Sequence, residues 1–393
     1  MKRSRRRLGE NSRAVHLPEA TTPRQVPIGP PVWRSAAWTF DSTAEQADVL
    51  SRIDNPTVAA FAAGVASLEG AAAPEDVAGQ AFSSGMAAIN TVLLTFLRSG
   101  AHVVAPLYGR AHALLTTVLS RFGVTADFVD YADVRRVRAA VRPGTKIVYA
   151  ETLANPTMAV ADIRGLYRVA REAGALLVVD STLATPIVCR PLEHGADLVV
   201  HSAATYIGGH DDCVGGVVVG RPDLIDQVRE VRVDTGASLS PDDAYLLRRG
   251  LETLTLRVRR MCSTALVFAA AIAKHPAVRR VDYPGLPTHP GHQLARLLFD
   301  SGPEGTRFGA IVTVTPYGGY EAGVALADAV RMARIATSMG GTHTKVAHLA
   351  SVTRSGEDAA AVRFSIGLED AEDLIADTTQ ALDALRSVSP TRG

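Results

Sequence analysis

Between about residue 56 and residue 245, short β-branched runs alternate with Ala-rich stretches of helical spacing: HVVA at 102–105, KIVYA at 146–150, ALLVV at 175–179, DLVV at 197–200 and VGGVVV at 214–219. A strand that is apolar at nearly every position must bury both of its faces. For several strands in succession, a mostly parallel sheet with helices on each side achieves this. The alternation sets the class as α/β, with a large domain at 56–250. Past Gly250 the segment LETLTLRVRRMCSTALVFAAAIA carries apolar residues every three or four positions and predicts a long helix leading out of that domain. GAIVTVTP and VRFSIGLE then read as strands and the last twenty residues as an amphipathic helix. Residues 251–393 are thus expected to form the connecting helix and a smaller C-terminal α+β domain. Residues 1–55, rich in Arg, Pro and Ser without periodicity, read as a solvated tail and an extended arm.

Charge and apolar content narrow the function classes. Lys plus Arg number 41 against 40 Asp plus Glu, so no long-range field recruits polyanions and nucleic acid is not an expected partner. The longest apolar stretch, Thr264 to Ala273, is far short of the roughly 20 residues that cross a bilayer, so no membrane partner is expected either. The basic N-terminal head lacks the apolar core of a secretion signal. Three widely spaced cysteines, Cys189, Cys213 and Cys262, in a chain long enough to need no covalent staples point to a reducing cytoplasm.

In such sheets ligands sit at the carboxyl ends of the strands. The strand ending at Val179 runs into Asp180-Ser181-Thr182, which leaves a carboxylate at the tip that is costly to bury without a cation; a protonated heterocycle nitrogen is one natural partner. Phe82-Ser83-Ser84-Gly85-Met86 puts small residues before an Ala-rich helix, where free N–H groups can face an anion. Pro106-Leu107-Tyr108-Gly109 brings an aromatic ring to the same edge, able to stack on a planar ligand or to serve only the core. After DLVV, the run from His201 to Asp212 crowds hydroxyls, paired glycines and polar groups into one turn. Arg363, on a strand of the second domain, can grip a carboxylate through two parallel hydrogen bonds or form a surface salt bridge.

Taken in order, these segments resemble the cysteine and methionine metabolism family of pyridoxal-phosphate enzymes, which includes cystathionine synthases and lyases, methionine lyases and sulfhydrylases. The best-matching stretches are SRIDNPT at 51–57, SSGMAAI at 83–89, ETLANPTMAVADI at 151–163, VVDSTLATPIVCRPLEHGADLVVHSA at 178–203, YIGGHDDCVGG at 206–216, RRGLETLTLR at 248–257 and VRFSIGLEDAEDLIADTTQAL at 362–382. The resemblance implies an aspartate-aminotransferase-like architecture (fold type I): a mostly parallel seven-stranded sheet plus a smaller C-terminal domain, assembled as dimers or tetramers with sites built across subunits. It gives Asp180 the pyridine nitrogen, Tyr108 the ring face, Gly85, Met86 and Ser202 the phosphate, and Arg52 the phosphate of the neighbouring subunit. Arg363 would hold the substrate carboxylate with Asn155 and Ser338 close by, and Thr337 stands where relatives set side-chain specificity.

The departures from the family matter more. Its Ser-x-Thr-Lys stretch, whose lysine carries the cofactor as an imine, is here Ser202-Ala203-Ala204-Thr205. A threonine has no amine with which to form that bond. The chain holds four lysines, Lys2, Lys146, Lys274 and Lys345, of which Lys345 alone, seven residues after Ser338, falls where approach to the site is open to it. Two phosphate contacts are also weakened, because Ala204 replaces a Thr and Leu50 a Tyr. Each lost hydrogen bond to a charged group costs roughly 1.5–3 kcal/mol. Losing the proton-transferring base removes on the order of 10²–10⁴ in rate. The turn at His210, Asp211, Asp212 and Cys213 matches the family's Gly-Gly-His-x-Asp pattern and is not expected to bind metal. Arg110 stands where the family usually has Gly, placed to meet an acidic substrate or only solvent.

The resemblance thus leads to an atypical member. It is expected to bind pyridoxal phosphate, or its imine with an amino acid, noncovalently and with weakened affinity. If active, it would perform elimination or replacement on an amino-acid-like substrate, with Thr205, Tyr108, His210 or water moving protons. Two alternatives stay open: an inactive partner subunit in mixed oligomers with a lysine-bearing relative, and an enzyme that reuses the pocket without the cofactor.

Overall fold

The computed structural model describes residues 10–17, 28–39, 42, 52–70, 76–352 and 358–388. Leu50 and the basic head of the chain lie outside the described residues. Part of the expected solvated tail is a helix, α1 (Glu10–Val15), docked by burial of Ala14 and Leu17 and by an ion pair between Glu10 and Arg307 at 3.0 Å. The helix α2 (Pro56–Glu69) starts where Asn55 accepts hydrogen bonds from the Thr57 and Val58 N–H groups and Pro56 takes the first turn, a position where its missing N–H costs nothing.

Seven strands follow: β1 (Ala78–Phe82), β2 (His102–Pro106), β3 (Thr125–Val129), β4 (Thr145–Glu151), β5 (Leu176–Asp180), β6 (Leu198–Ser202) and β7 (Gly216–Gly220). They form one sheet in the order β1-β7-β6-β5-β4-β2-β3. All neighbours are parallel except β7, which runs antiparallel to both β1 and β6. Successive side chains alternate between the two faces. Val148, Leu177, Val179 and Val199 pack with Phe61 and Val65 of α2, and with Val258 and Phe268 of the long helix Leu254–Ile272. On the other face Tyr149, Val178, Leu198 and Val200 pack with Ile89 and Val92 of α3 (Gly85–Phe96) and with Leu115 of α4 (Arg110–Thr117).

The long helix is separated at Thr253 from the helix Pro241–Glu252 before it. Beyond it, a second sheet of five strands joins Val278–Asp282, Ile311–Pro316, Val362–Ser365, Lys345–His348 and Arg334–Ile335 in that spatial order. The helix Ala371–Val388 closes the described chain. Both GAIVTVTP and VRFSIGLE contain strands where the pattern predicts them.

The period of two that buries Val200 toward α3 turns its neighbour His201 toward α2, where its Nε2 meets Glu69 Oε1 at 2.7 Å with both side chains at 1% exposure or less. Removing one member leaves the other buried and unpaired. His201→Leu is therefore expected to cost about 3–5 kcal/mol, read as a lowered urea midpoint at unchanged slope. A midpoint within error of the wild type would show that the pair does not hold α2 to the sheet.

Candidate active site

The carboxyl ends of β4, β5 and β6 deliver Glu151, Asp180 and Ser202, and the two-residue period puts all three on the α3 side of the sheet, in line with Tyr149, Val178 and Val200. They line a cavity of about 250 Å³, together with Gly85 and Met86, Gly109 to Ala111, Asn155, Thr205 and Met339.

At the α3 end, Ser84 caps the helix by accepting from the Ala87 N–H at 3.1 Å. The N–H groups of Gly85 and Met86 have no partner among the described residues and open toward the cavity wall. Gly85 has no substitute here, because a Cβ would lie 2.6 Å from that of Ser202. Hydroxyl and helix start thus close on one spot suited to an anion.

Asp180 accepts from the Thr182 N–H at 2.9 Å and from the Tyr149 hydroxyl at 3.3 Å, and it has no cationic partner among the described residues. Glu151 sits beside it, paired strand to strand. Burial, reinforced by the neighbouring Asp180, pushes Glu151 up to about 8, and among the described residues its carboxyl accepts one long contact of 3.4 Å from the Asn155 N–H. Glu151 therefore keeps its proton at neutral pH. A carboxylate aimed into a cavity without a counter-ion, opposite an anion cradle, fits a ligand that carries a cationic ring nitrogen at one end and a phosphate at the other. The residues present therefore fit pyridoxal phosphate.

The other expected site residues are distributed unevenly. Thr205 lines the cavity and spends its hydroxyl on the Ser202 carbonyl at 2.7 Å. Asn155 lines it too and accepts from Arg363 at 3.1 Å. Arg363 is buried behind Asn155 and also donates to the Thr337 carbonyl at 2.7 Å and the Ser338 carbonyl at 3.5 Å. Tyr108 faces an adjoining cavity of about 280 Å³ that shares Glu151 and Asn155 with the first. His210 contacts the Gly208 carbonyl at 2.8 Å and is not among the lining residues. Arg52 is exposed and donates to the Val233 carbonyl at 3.1 Å, away from this cavity. Lys345 is held elsewhere: its ammonium donates to both Asp211 oxygens at 2.7 and 2.9 Å and to the Gly340 carbonyl, and it does not line the cavity.

Two participants escaped the sequence reading. Glu151 ends KIVYAE as Asp180 ends LLVVD, so the same signal of an apolar run closing on a carboxylate marked it. Arg257 left no such signal. From the long helix it donates to the carbonyls of Tyr206, Ile207 and Gly250, which fixes the turn after Thr205, and burial lowers its pKa to about 10.

An α/β sheet with this order, a phosphate-sized cradle and a carboxylate at the β5 tip defines the fold type I class of pyridoxal-phosphate proteins. The pattern of the Cys/Met metabolism PLP-dependent enzymes matches residues 11–383. The L-methionine gamma-lyase of Fusobacterium nucleatum is 39% identical over 380 residues, covering 90% of this chain and 93% of that protein. The cystathionine gamma-synthase of Mycobacterium bovis is 36% identical over 386 residues, covering 95% and 97%. The crystal structure of metB from Corynebacterium glutamicum superposes with a TM-score of 0.90 at 35% identity, covering 96% of this chain and 98% of that one. This chain belongs to the Cys/Met metabolism PLP-dependent enzyme family, whose cofactor is pyridoxal phosphate.

The acid pair has a consequence for stability. Glu151 keeps its proton to about pH 8 when folded but loses it near its ordinary value of 4.5 when unfolded, so between those values the folded state binds more protons. This contribution is complete below about 4.5 and fades as pH rises through about 8. The melting temperature of the wild type is expected to fall from pH 5 to pH 9 more steeply than that of Glu151→Gln. Parallel curves would place the proton elsewhere.

Proposed function

We propose that this chain is an atypical enzyme of its family that takes pyridoxal phosphate, or its conjugate with an amino acid, without a covalent tether. In this reading it acts by elimination or replacement on an amino-acid-like substrate with a β or γ leaving group. The observation that carries the reading is the composition of the cavity: the uncompensated Asp180 and the open N–H groups of Gly85 and Met86 are present, while the position implied for the lysine is Thr205. Lys345, the one lysine placed near, is locked onto Asp211.

When bound, the cofactor supplies an electron sink for charge developing at the substrate α-carbon. Asp180 would hold the ring nitrogen, and Gly85, Met86 and Ser202 the phosphate. Arg52 would be lent to the neighbouring subunit's phosphate in a homodimer or homotetramer. Arg363 and Asn155 would orient the substrate carboxylate, with Thr337 and Ser338 framing it. Tyr108 would cover the ring once its side chain turns from the adjoining cavity. Thr205, already on the cavity wall, is the first candidate to pass a proton, with Tyr108, His210 or water as relays, and Glu151 holds a further proton at neutral pH. Residues 56–250 would carry the cofactor and 251–393 the substrate grip. No helix among the described residues is long and apolar enough to cross a membrane, and the three cysteines are free and buried, which supports a cytoplasmic setting.

The decisive experiment is an absorption spectrum with added pyridoxal phosphate, before and after borohydride, followed by intact mass. The wild type is expected to bind the cofactor reversibly and gain no mass on reduction, whereas Thr205→Lys gains one reducible adduct. Asp180→Ala should weaken binding by about 10–100-fold. A reducible adduct in the wild type would assign an amine of this chain to the tether and end the noncovalent reading. No binding at all would favour a pocket reused without the cofactor.

A further inference from the structure

The cavity holds one charged group that the chemistry above does not use. Arg110 begins α4, flanked by Gly109 and Ala111, and all three line the cavity. Gly109 adopts φ 94, a backbone conformation that favours glycine, and stands at the start of the helix on the cavity wall. Among the described residues the Arg110 guanidinium has no hydrogen-bond or ion-pair partner. The two acids nearby do not neutralise it. Asp180 is occupied by Thr182 and Tyr149, and what acts on Glu151 is burial, Asp180 and the Asn155 N–H, with no cation. The second guanidinium of the region, Arg363, does not line the cavity and is bound to Asn155 and the Thr337 carbonyl. A ligand in the cavity therefore meets, besides the Asn155 that Arg363 holds, the unspent positive charge of Arg110.

A guanidinium fork matches a carboxylate through two parallel hydrogen bonds. One such group balances the single charge of a carboxylate, whereas a phosphate near −1.5 to −2 would need further donors. Arg110 is exposed, so solvent and salt screen it, and the gain is modest.

We infer that the substrate of this chain is an amino acid whose side chain ends in a second carboxylate, and that Arg110 receives that group. The inference rests on the reading that the cavity takes a cofactor–amino acid conjugate. Arg110 acts as a specificity residue: it selects among amino acids by the far end of the side chain, while the cofactor contacts remain common to all.

Two borohydride-reduced phosphopyridoxyl conjugates of nearly equal length test this on the full-length protein by titration calorimetry: that of L-2-aminoadipate, which ends in a carboxylate, and that of L-norleucine, which ends in a methyl group. The aminoadipate conjugate is expected to bind about tenfold more tightly at low salt, with the preference shrinking as salt is raised. Arg110→Gln should bring the ratio of the two affinities to about one, and Arg110→Lys should keep part of it. A wild-type ratio near one overturns the inference, as does a ratio that survives Arg110→Gln. It is equally overturned if the ratio collapses in Arg136→Gln instead, which would assign the anion to the adjoining cavity that Arg136 lines. These outcomes leave the cofactor reading standing if the norleucine conjugate binds. Failure of both conjugates to bind the wild type overturns that reading, and the inference with it.

Discussion

Two carboxyl groups stand side by side at the ends of adjacent parallel strands, Glu151 on β4 and Asp180 on β5, and the organisation of the site follows from how they share charge. Both side chains point to the α3 face because the strand period leaves them no other choice. Like charges this close in a buried setting do not both ionise. Burial and the neighbouring Asp180 keep the proton on Glu151 at neutral pH, while the Asp180 oxygens accept from Thr182 and Tyr149. In the proposed reading Asp180 meets the cationic ring nitrogen at one end and the open helix start of α3 meets the phosphate at the other.

The remaining polar groups are spent on one another in a way that isolates this arrangement. Lys345 is neutralised by Asp211 and tied to the Gly340 carbonyl, and Gly340 packs so closely on Thr205 that a Cβ would lie 2.4 Å from the Thr205 carbonyl oxygen. The buried ammonium thus braces the turn next to the site without entering it. Arg257 performs a related service from the other side by holding the carbonyls of Tyr206 and Ile207. Position 205 is consequently fixed in space while bearing a hydroxyl rather than an amine.

Relatives that share this scaffold include a methionine lyase and a cystathionine synthase, two different outcomes at the substrate side chain. Fold and cofactor are common to them, so they do not discriminate between reactions. What discriminates lies where side chains differ at the cavity wall, and the proposals above put Arg110 and Thr205 among such positions.

Much of this was legible from residue order. Apolar runs announced the parallel sheet because burial on both faces leaves few polar positions in a strand, and Asp180 stood out because it interrupts such a run. The SSGM turn and the absence of lysine at 205 are likewise properties of sequence, as is the family that the ordered motifs resemble. Other features needed the folded chain. The docking of α1 depends on Arg307, nearly three hundred residues from Glu10. The proton on Glu151 depends on Asp180 from another strand, and the capture of Lys345 on Asp211 from another domain. Tyr108 and Arg363 are candidates on sequence alone, and their orientations, toward an adjoining cavity and behind Asn155, follow from packing. Sequence fixes which groups are available and at which strand tips they emerge, since periodicity is local. Which of them share a counter-charge is decided only in three dimensions, because electrostatic and hydrogen-bond partners are chosen by distance across elements that are remote along the chain.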